Sequence, residues 1–396
     1  MKRRILQLGG VVWSTNLVIL CVSMFSNRFG QGLLGGARTN FFVDTLGITG
    51  QQILALEGIR EIPGLALIFL AALTMRFSLP RRAAVSVFIM GVGYILFATV
   101  HSYSALLVVA VLASLGMHLW MPLSESLAMA LGTKETSGRI MGTLQSVGAL
   151  AAIAGMGVLA LISALLPDLE LGLYYVFGGI LILVAAVLLW RLPKDLGDTK
   201  VEPPRMLVSK RYWLYYVLTF FQGSRKQVLN TFGLLVLVEI ANYEVWQISL
   251  LLLISGVVNL IGAPLLGSAL DHFGERRTLS ISYALLVFCC LVYAFIHQAW
   301  ILAAVLVLIK LLSLMGVGLS TYVNRIAPDG ELTPTLSAGI SINHITSVGM
   351  PMVAAAVLPL IGYDGIFLGT AGLILLSIPF AMMIRVPKET TAAATT

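Results

Sequence analysis

The chain has 396 residues, 58% of them hydrophobic and only 11% charged, with a formal net charge of +7. Soluble domains carry roughly 25% charged residues, so this composition cannot clothe a water-exposed globule, and a lipid bilayer is the solvent that suits it. The positive balance does not mark a nucleic-acid partner, because the basic residues lie in short loops between apolar runs and not on a soluble domain.

The apolar runs far exceed the roughly 10 residues of a barrel strand, which makes the fold all-α. The opening Met1-Lys2-Arg3-Arg4 mimics a secretory signal, but the apolar stretch behind it runs on without a small-residue cleavage site, so it reads as the first transmembrane helix. Spans are predicted at 11–40, 50–75, 82–100, 103–131, 138–166, 172–192, 212–240, 246–270, 279–297, 300–325, 336–361 and 365–385. Each has about the 20 residues needed to cross a ~30 Å hydrocarbon core. Cys21, Cys289 and Cys290 all fall inside these runs, with no metal-ligand or disulfide spacing.

Twelve spans put both termini on one side. The seven segments on that side hold 19 of the 25 Lys and Arg residues, whereas the six opposite loops hold none and carry Asp44, Asp168, Glu170, Glu244 and Asp364. The positive-inside rule makes the seven segments cytoplasmic, in an inner-membrane, multi-pass protein. The longest polar stretch, 193–210, contains two prolines and mixed charges and reads as a linker. It divides the chain into six-helix bundles at 1–192 and 211–387, followed by a polar tail at 388–396 expected to be disordered.

The halves resemble one another. Arg76-Phe77-Ser78-Leu79-Pro80-Arg81-Arg82 follows span two, and Asp271-His272-Phe273-Gly274-Glu275-Arg276-Arg277 follows span eight, offset by 195. Ser146-Val147-Gly148 in span five recurs as Ser347-Val348-Gly349 in span eleven, offset by 201. Two matches at nearly one offset point to a duplicated six-helix unit.

The stretch from Gly267 through Asp271 and Gly274 to Arg276 and Arg277 resembles the signature loop of the major facilitator superfamily: a glycine, an aspartate four residues on, a glycine, then a basic pair. Gly267 suits close helix approach, and Asp271 places an anion at a helix end beside cations in a tight turn. A plain topogenic turn is the competing reading. The N-terminal copy departs from the pattern, with Ala72, Arg76 and Leu79 where the glycine, aspartate and second glycine belong, so the interhelical charge gate that the resemblance implies rests on the C-terminal copy. Span five has Gly142, Gly148, Gly155 and Gly157 but no proline among them, a poor match to the motif of drug–proton antiporters. The resemblance implies a secondary transporter with two pseudo-symmetric six-helix bundles, spans one, four, seven and ten lining a central cavity, and spans three, six, nine and twelve facing lipid.

The in-span charges fit that arrangement. Arg28, Arg38, Arg60, Arg225, Lys226, Lys310, Glu57, Glu61 and Glu125 lie on spans one, two, four, seven and ten alone. Each costs about 2.5–3.5 kcal/mol at mid-bilayer, so they should face a cavity or one another. Helical spacing aligns Gln222, Arg225, Lys226 and Asn230 on span seven, Asn27 and Gln31 beside Arg28 on span one, and His118 with Glu125 on span four. These residues, with Lys310, are the candidate substrate ligands, while Glu57, Glu61, Glu125 and His118 are candidates for proton coupling, Glu125 foremost. Blander readings stand beside these: Arg38 snorkelling to water, Glu57, Arg60 and Glu61 forming a structural ion-pair cluster, and His118 and His344 serving helix packing.

Six in-span cations against three acids make the cavity net basic. Arg28 and Arg225, offset by 197, are expected to face each other across the pseudo-two-fold axis, where two guanidiniums can grip one anion. They resemble the paired arginines on spans one and seven of organophosphate–phosphate antiporters in the same superfamily. The chain carries no Walker loop, no His-rich metal motif and no catalytic constellation. The expected function is secondary transport of a small, anionic solute, by a monomer without a cofactor, with a coupling proton or counter-anion. Proton-coupled export of neutral or cationic compounds and a non-transporting membrane sensor or scaffold are the alternatives.

Overall fold

The computed structural model describes residues 6–8, 11–66, 74, 76–132, 137–197, 208–328 and 331–386. The predicted tail at 388–396, and the linker between 197 and 208, lie outside the described residues. Leu6–Leu8 and Val11–Trp13 form a short antiparallel ribbon, and every other regular element is helical among the described residues. Span one therefore starts at Thr15, four residues later than expected, where the Ser14 side chain accepts the Leu17 N–H and caps the first turn.

Among the described residues eight helices are long and apolar enough to cross a membrane. Two of them, Val245–Phe295 and Leu332–Met382, contain 51 residues each and are pairs of helices joined at a glycine. Gly274 (φ 76°, ψ 163°) and Gly362 (φ 65°, ψ −176°) sit at the joints, in a backbone region that only glycine enters at low cost. They separate spans eight and nine, and eleven and twelve. Span seven runs through Trp213–Gln227, a π-helical turn at Val228–Phe232, and Gly233–Glu239. Span two is described in Gly50–Arg60 and Ile62–Leu65. With these, the described helices agree with the twelve-span reading.

Local breaks have identifiable causes. Pro63 has no N–H to give to the preceding turn, and span two breaks at Glu61 just before it. Gly50–Arg60 opens on a capping box, with Thr49 and Gln52 satisfying each other's orphan N–H groups. A 3₁₀ turn at Leu314–Gly316 divides span ten into Ala299–Ser313 and Val317–Ile326.

The chain packs into two compact units, residues 1–202 with 231–260, and residues 203–230 with 261–396. In the first unit, spans one, five and six approach almost backbone to backbone. A Cβ on Gly32 would come within 2.4 Å of the Ala152 carbonyl, and one on Gly155 within 2.3 Å of the Phe29 carbonyl. Phe41 packs tilted against Tyr175 at 4.7 Å and Phe97 stacks on it at 4.9 Å. Residues 231–260 complete this unit: Val245 joins Leu33, Ala37, Leu159 and Tyr174 in one buried cluster, and Asn40 Nδ2 donates to the Tyr243 carbonyl. In the second unit span seven packs on the long helix carrying spans eleven and twelve, with Phe380 against Trp213 and Phe221.

Span six (Leu171–Trp190) exposes Phe177, Ile180, Val184 and Val187, at steps of three and four residues. That outward apolar stripe is what lipid contact demands and water would penalise. In span nine, Ile281, Leu285 and Phe288 do the same.

Candidate functional site

Most of the in-span charge of the first unit gathers around one carboxylate. Glu57 is 1% exposed and receives Arg38 Nη2 at 3.1 Å and Arg60 Nη1 at 3.0 and 3.2 Å. Two charge-assisted hydrogen bonds from Arg60 and an ion pair with Arg38 satisfy it. The two guanidiniums reach from there to a cavity of about 210 Å³, lined also by Gln31, Tyr94, Ser114 and Tyr175.

The break at Glu61 lets this residue leave the axis of span two toward span four. His118 Nε2 lies 3.6 Å from Glu61 Oε2, and both side chains are buried. His118 Nδ1 is 2.9 Å from the Ser114 carbonyl oxygen, and a proton on Nδ1 donated there leaves Nε2 facing the carboxylate. Ser114 Oγ in turn donates to the Arg60 carbonyl. One polar chain thus links Arg38, Glu57, Arg60, Ser114, His118 and Glu61 across spans one, two and four.

Glu125 is not part of it. It is exposed, whereas His118 is buried at 3% exposure. The seven-residue spacing puts the two on one face of span four but about 10 Å apart along its axis, so a shared face does not bring them together. Buried Glu61 is the carboxylate that meets His118.

Arg28 behaves differently from Arg38 and Arg60. Gln31 Nε2 donates to Asn27 Oδ1 at 2.7 Å, and Arg28 Nη1 to Gln31 Oε1 at 3.5 Å, so the three predicted ligands of span one form one group. The Arg28 stem packs over Gly148. Among the described residues Arg28 makes no ion pair with a carboxylate, and Asn27 Nδ2 is buried without a partner.

In the second unit, Gln222, Lys226 and Asn230 are half-buried along span seven, and Lys310 is half-buried on span ten. Arg225 parts from the predicted common face. It is 7% exposed, its guanidinium lies 4.1 Å from the centre of the Tyr283 ring, and its Nη1 is buried with no hydrogen-bond partner. A cation over an aromatic face gains about 0.5–2 kcal/mol, well short of what a buried charge gives up in leaving water.

The signature loop carries its charge pairing on residues the motif reading passed over. Glu275, 1% exposed, meets Arg325 Nε at 2.9 Å, while Asp271 is 83% exposed and lies 3.6 Å from Arg325 Nη2. Arg276 and Arg277 are exposed. A Cβ on Gly267 would meet nothing within 4 Å, so close helix approach does not account for this glycine here, whereas Gly274 is required by its positive φ. Glu275 lies inside the motif, whereas Arg325 stands 50 residues further on, at the end of span ten, where no sequence spacing links it to the turn. Tyr175 and Tyr283 gave no signal in the sequence, because an aromatic residue in an apolar run looks like any other.

A model of the Major Facilitator Superfamily matches residues 20–244 and again 215–396. The nucleoside transporter NupG superposes with a TM-score of 0.76 at 14% identity, over 94% of this chain and 100% of that one. A bacterial homologue of the human lysosomal transporter Spinster, inward-facing and occupied, gives 0.71 at 13% identity, over 93% and 96%. A bacterial homologue of the iron transporter ferroportin, inward-facing, gives 0.72 at 15%, over 93% and 99%. Identities this low carry the fold alone. No curated protein sequence matches the chain significantly. Matched by the family model in both halves and built of apolar helices with an apolar outer face, the chain belongs to the Major Facilitator Superfamily of multi-pass membrane transporters.

Proposed function

We propose that this transporter moves a small anionic solute by alternating access, with Arg28 and Arg225 as the side chains that hold the anion. The observation that carries this reading is the contrast among the in-span arginines. Arg38 and Arg60 share Glu57, whereas Arg28 and Arg225 have no carboxylate partner among the described residues. A guanidinium withdrawn from water without a counter-charge is costly, and a substrate carboxylate or phosphate supplies the missing acceptors bidentately. One such arginine falls in each unit. Asn27, Gln31, Gln222, Lys226, Asn230 and Lys310 would add hydrogen bonds and positive potential. On this reading the loops with 19 basic residues face the cytoplasm of an inner-membrane protein.

The test is transport in proteoliposomes by Arg28→Gln and Arg225→Gln, assayed with organic anions and with cationic dyes. Loss of anion uptake in both supports the assignment. Retained anion uptake, or a defect confined to cations, refutes it. The buried Glu61–His118 pair favours a proton as coupling ion, and the same pair serves the second reading, proton-coupled movement of a neutral solute such as the nucleosides named for NupG.

A further inference from the structure

We propose that the cavity bounded by Arg38, Arg60 and Tyr175 in the first unit is a binding site for a compact monoanion, separate from Arg28 and Arg225. Four observations carry it. The first is the lining: two guanidiniums, Arg38 and Arg60, stand in the cavity wall against one carboxylate, Glu57, while the second buried carboxylate, Glu61, is turned to His118 and lies outside the lining. The second is access. The Glu57 side chain is 1% exposed, while those of Arg38 and Arg60 are 31% and 19% exposed, so of the three charged groups in the lining the cations are the more accessible.

The third is the state of Tyr175. It is 1% exposed, lines the cavity, and its hydroxyl is buried without a hydrogen-bond partner. A buried orphan of this kind is costly, and native structures rarely keep one without use for it. The fourth is the remaining wall, which is apolar and aromatic: Leu34, Phe42, Leu56 and Phe97 among others. Such walls raise the strength of any charge interaction inside.

Together these define the ligand. The uncommitted groups include guanidinium N–H and phenol O–H donors, so the guest must accept hydrogen bonds. With two guanidiniums against one carboxylate in the lining, the wall suits a monoanion better than a dianion. The volume of about 210 Å³ equals about seven waters at their liquid volume, room for a carboxylate, nitrate or halide with part of its hydration shell.

The experiment uses the full-length protein purified in detergent, at constant ionic strength with gluconate as reference anion. It is titrated with sodium acetate, nitrate, chloride or phosphate while thermal unfolding is followed by tryptophan fluorescence. A saturable rise in unfolding temperature is expected with at least one compact monoanion, at lower concentration than with phosphate. Tyr175→Phe deletes only the orphan O–H and so retains the packing. This variant and Arg38→Gln should each weaken half-saturation by about tenfold or more, the worth of one charge-assisted hydrogen bond. Arg191→Gln, at an exposed position outside both proposed sites, should leave the response unchanged. The proposal is overturned if no monoanion stabilises beyond the ionic-strength control, or if Tyr175→Phe binds as well as the parent chain. It is equally overturned if Arg28→Gln alone abolishes the response, which would move the anion to the proposed transport ligands.

Discussion

Removing the charge of Glu57 tests the polar chain of the first unit at its centre. Glu57→Gln keeps the shape of the side chain but leaves Arg38 and Arg60 facing each other with no carboxylate between them. Breaking a buried ion pair from one side costs about 3–5 kcal/mol, mostly through the charge left behind. Arg38 is nearly one-third exposed and partly screened by water, so most of the loss belongs to Arg60, whose Nη1 contacts both Glu57 oxygens. A loss of about 3 kcal/mol is therefore expected for Glu57→Gln, a comparable loss for Arg60→Gln, and a double variant well short of the sum. The coupling energy in the double-mutant cycle should be about 2–3 kcal/mol. Reversible unfolding in mixed micelles, followed by tryptophan fluorescence, measures all four corners. Additive effects, with coupling below about 0.5 kcal/mol, would show that water screens the pair and that Glu57 does not organise the cavity.

Three further expectations follow from named contacts. Glu275→Gln should slow turnover more than Asp271→Asn does, because Glu275 is the buried partner of Arg325; equal defects in initial uptake rates would return the gate to the aspartate of the motif. If a proton is coupled through the Glu61–His118 pair, Glu61→Gln should flatten the pH profile of uptake while Glu125→Gln leaves it unchanged, and the reverse pattern would reinstate the exposed carboxylate. Single cysteines at Asp168 or Asp364 should react with a membrane-impermeant maleimide on intact cells and one at Lys194 should not; reversed labelling would invert the topology drawn from loop charges.

Composition and loop charge were enough to set the solvent, the helical class, the span count and the duplicated plan, because each is a sum over many residues and survives local error. The signature loop and the absence of charge from spans three, six, nine and twelve pointed to the superfamily in the same way. Partners within the membrane were another matter. Helical spacing put Glu125 under His118 and Arg225 in line with Lys226, yet Glu125 lies two turns further along the helix at an exposed position, and Arg225 turns to Tyr283. The break at Pro63 frees Glu61 to meet His118, and the buried pairing in the signature turn falls to Glu275 and a distant arginine. Periodicity ranks residues on one helix. Which arginine is neutralised and which is left over depends on side chains brought in from other helices, and only their packing decides that.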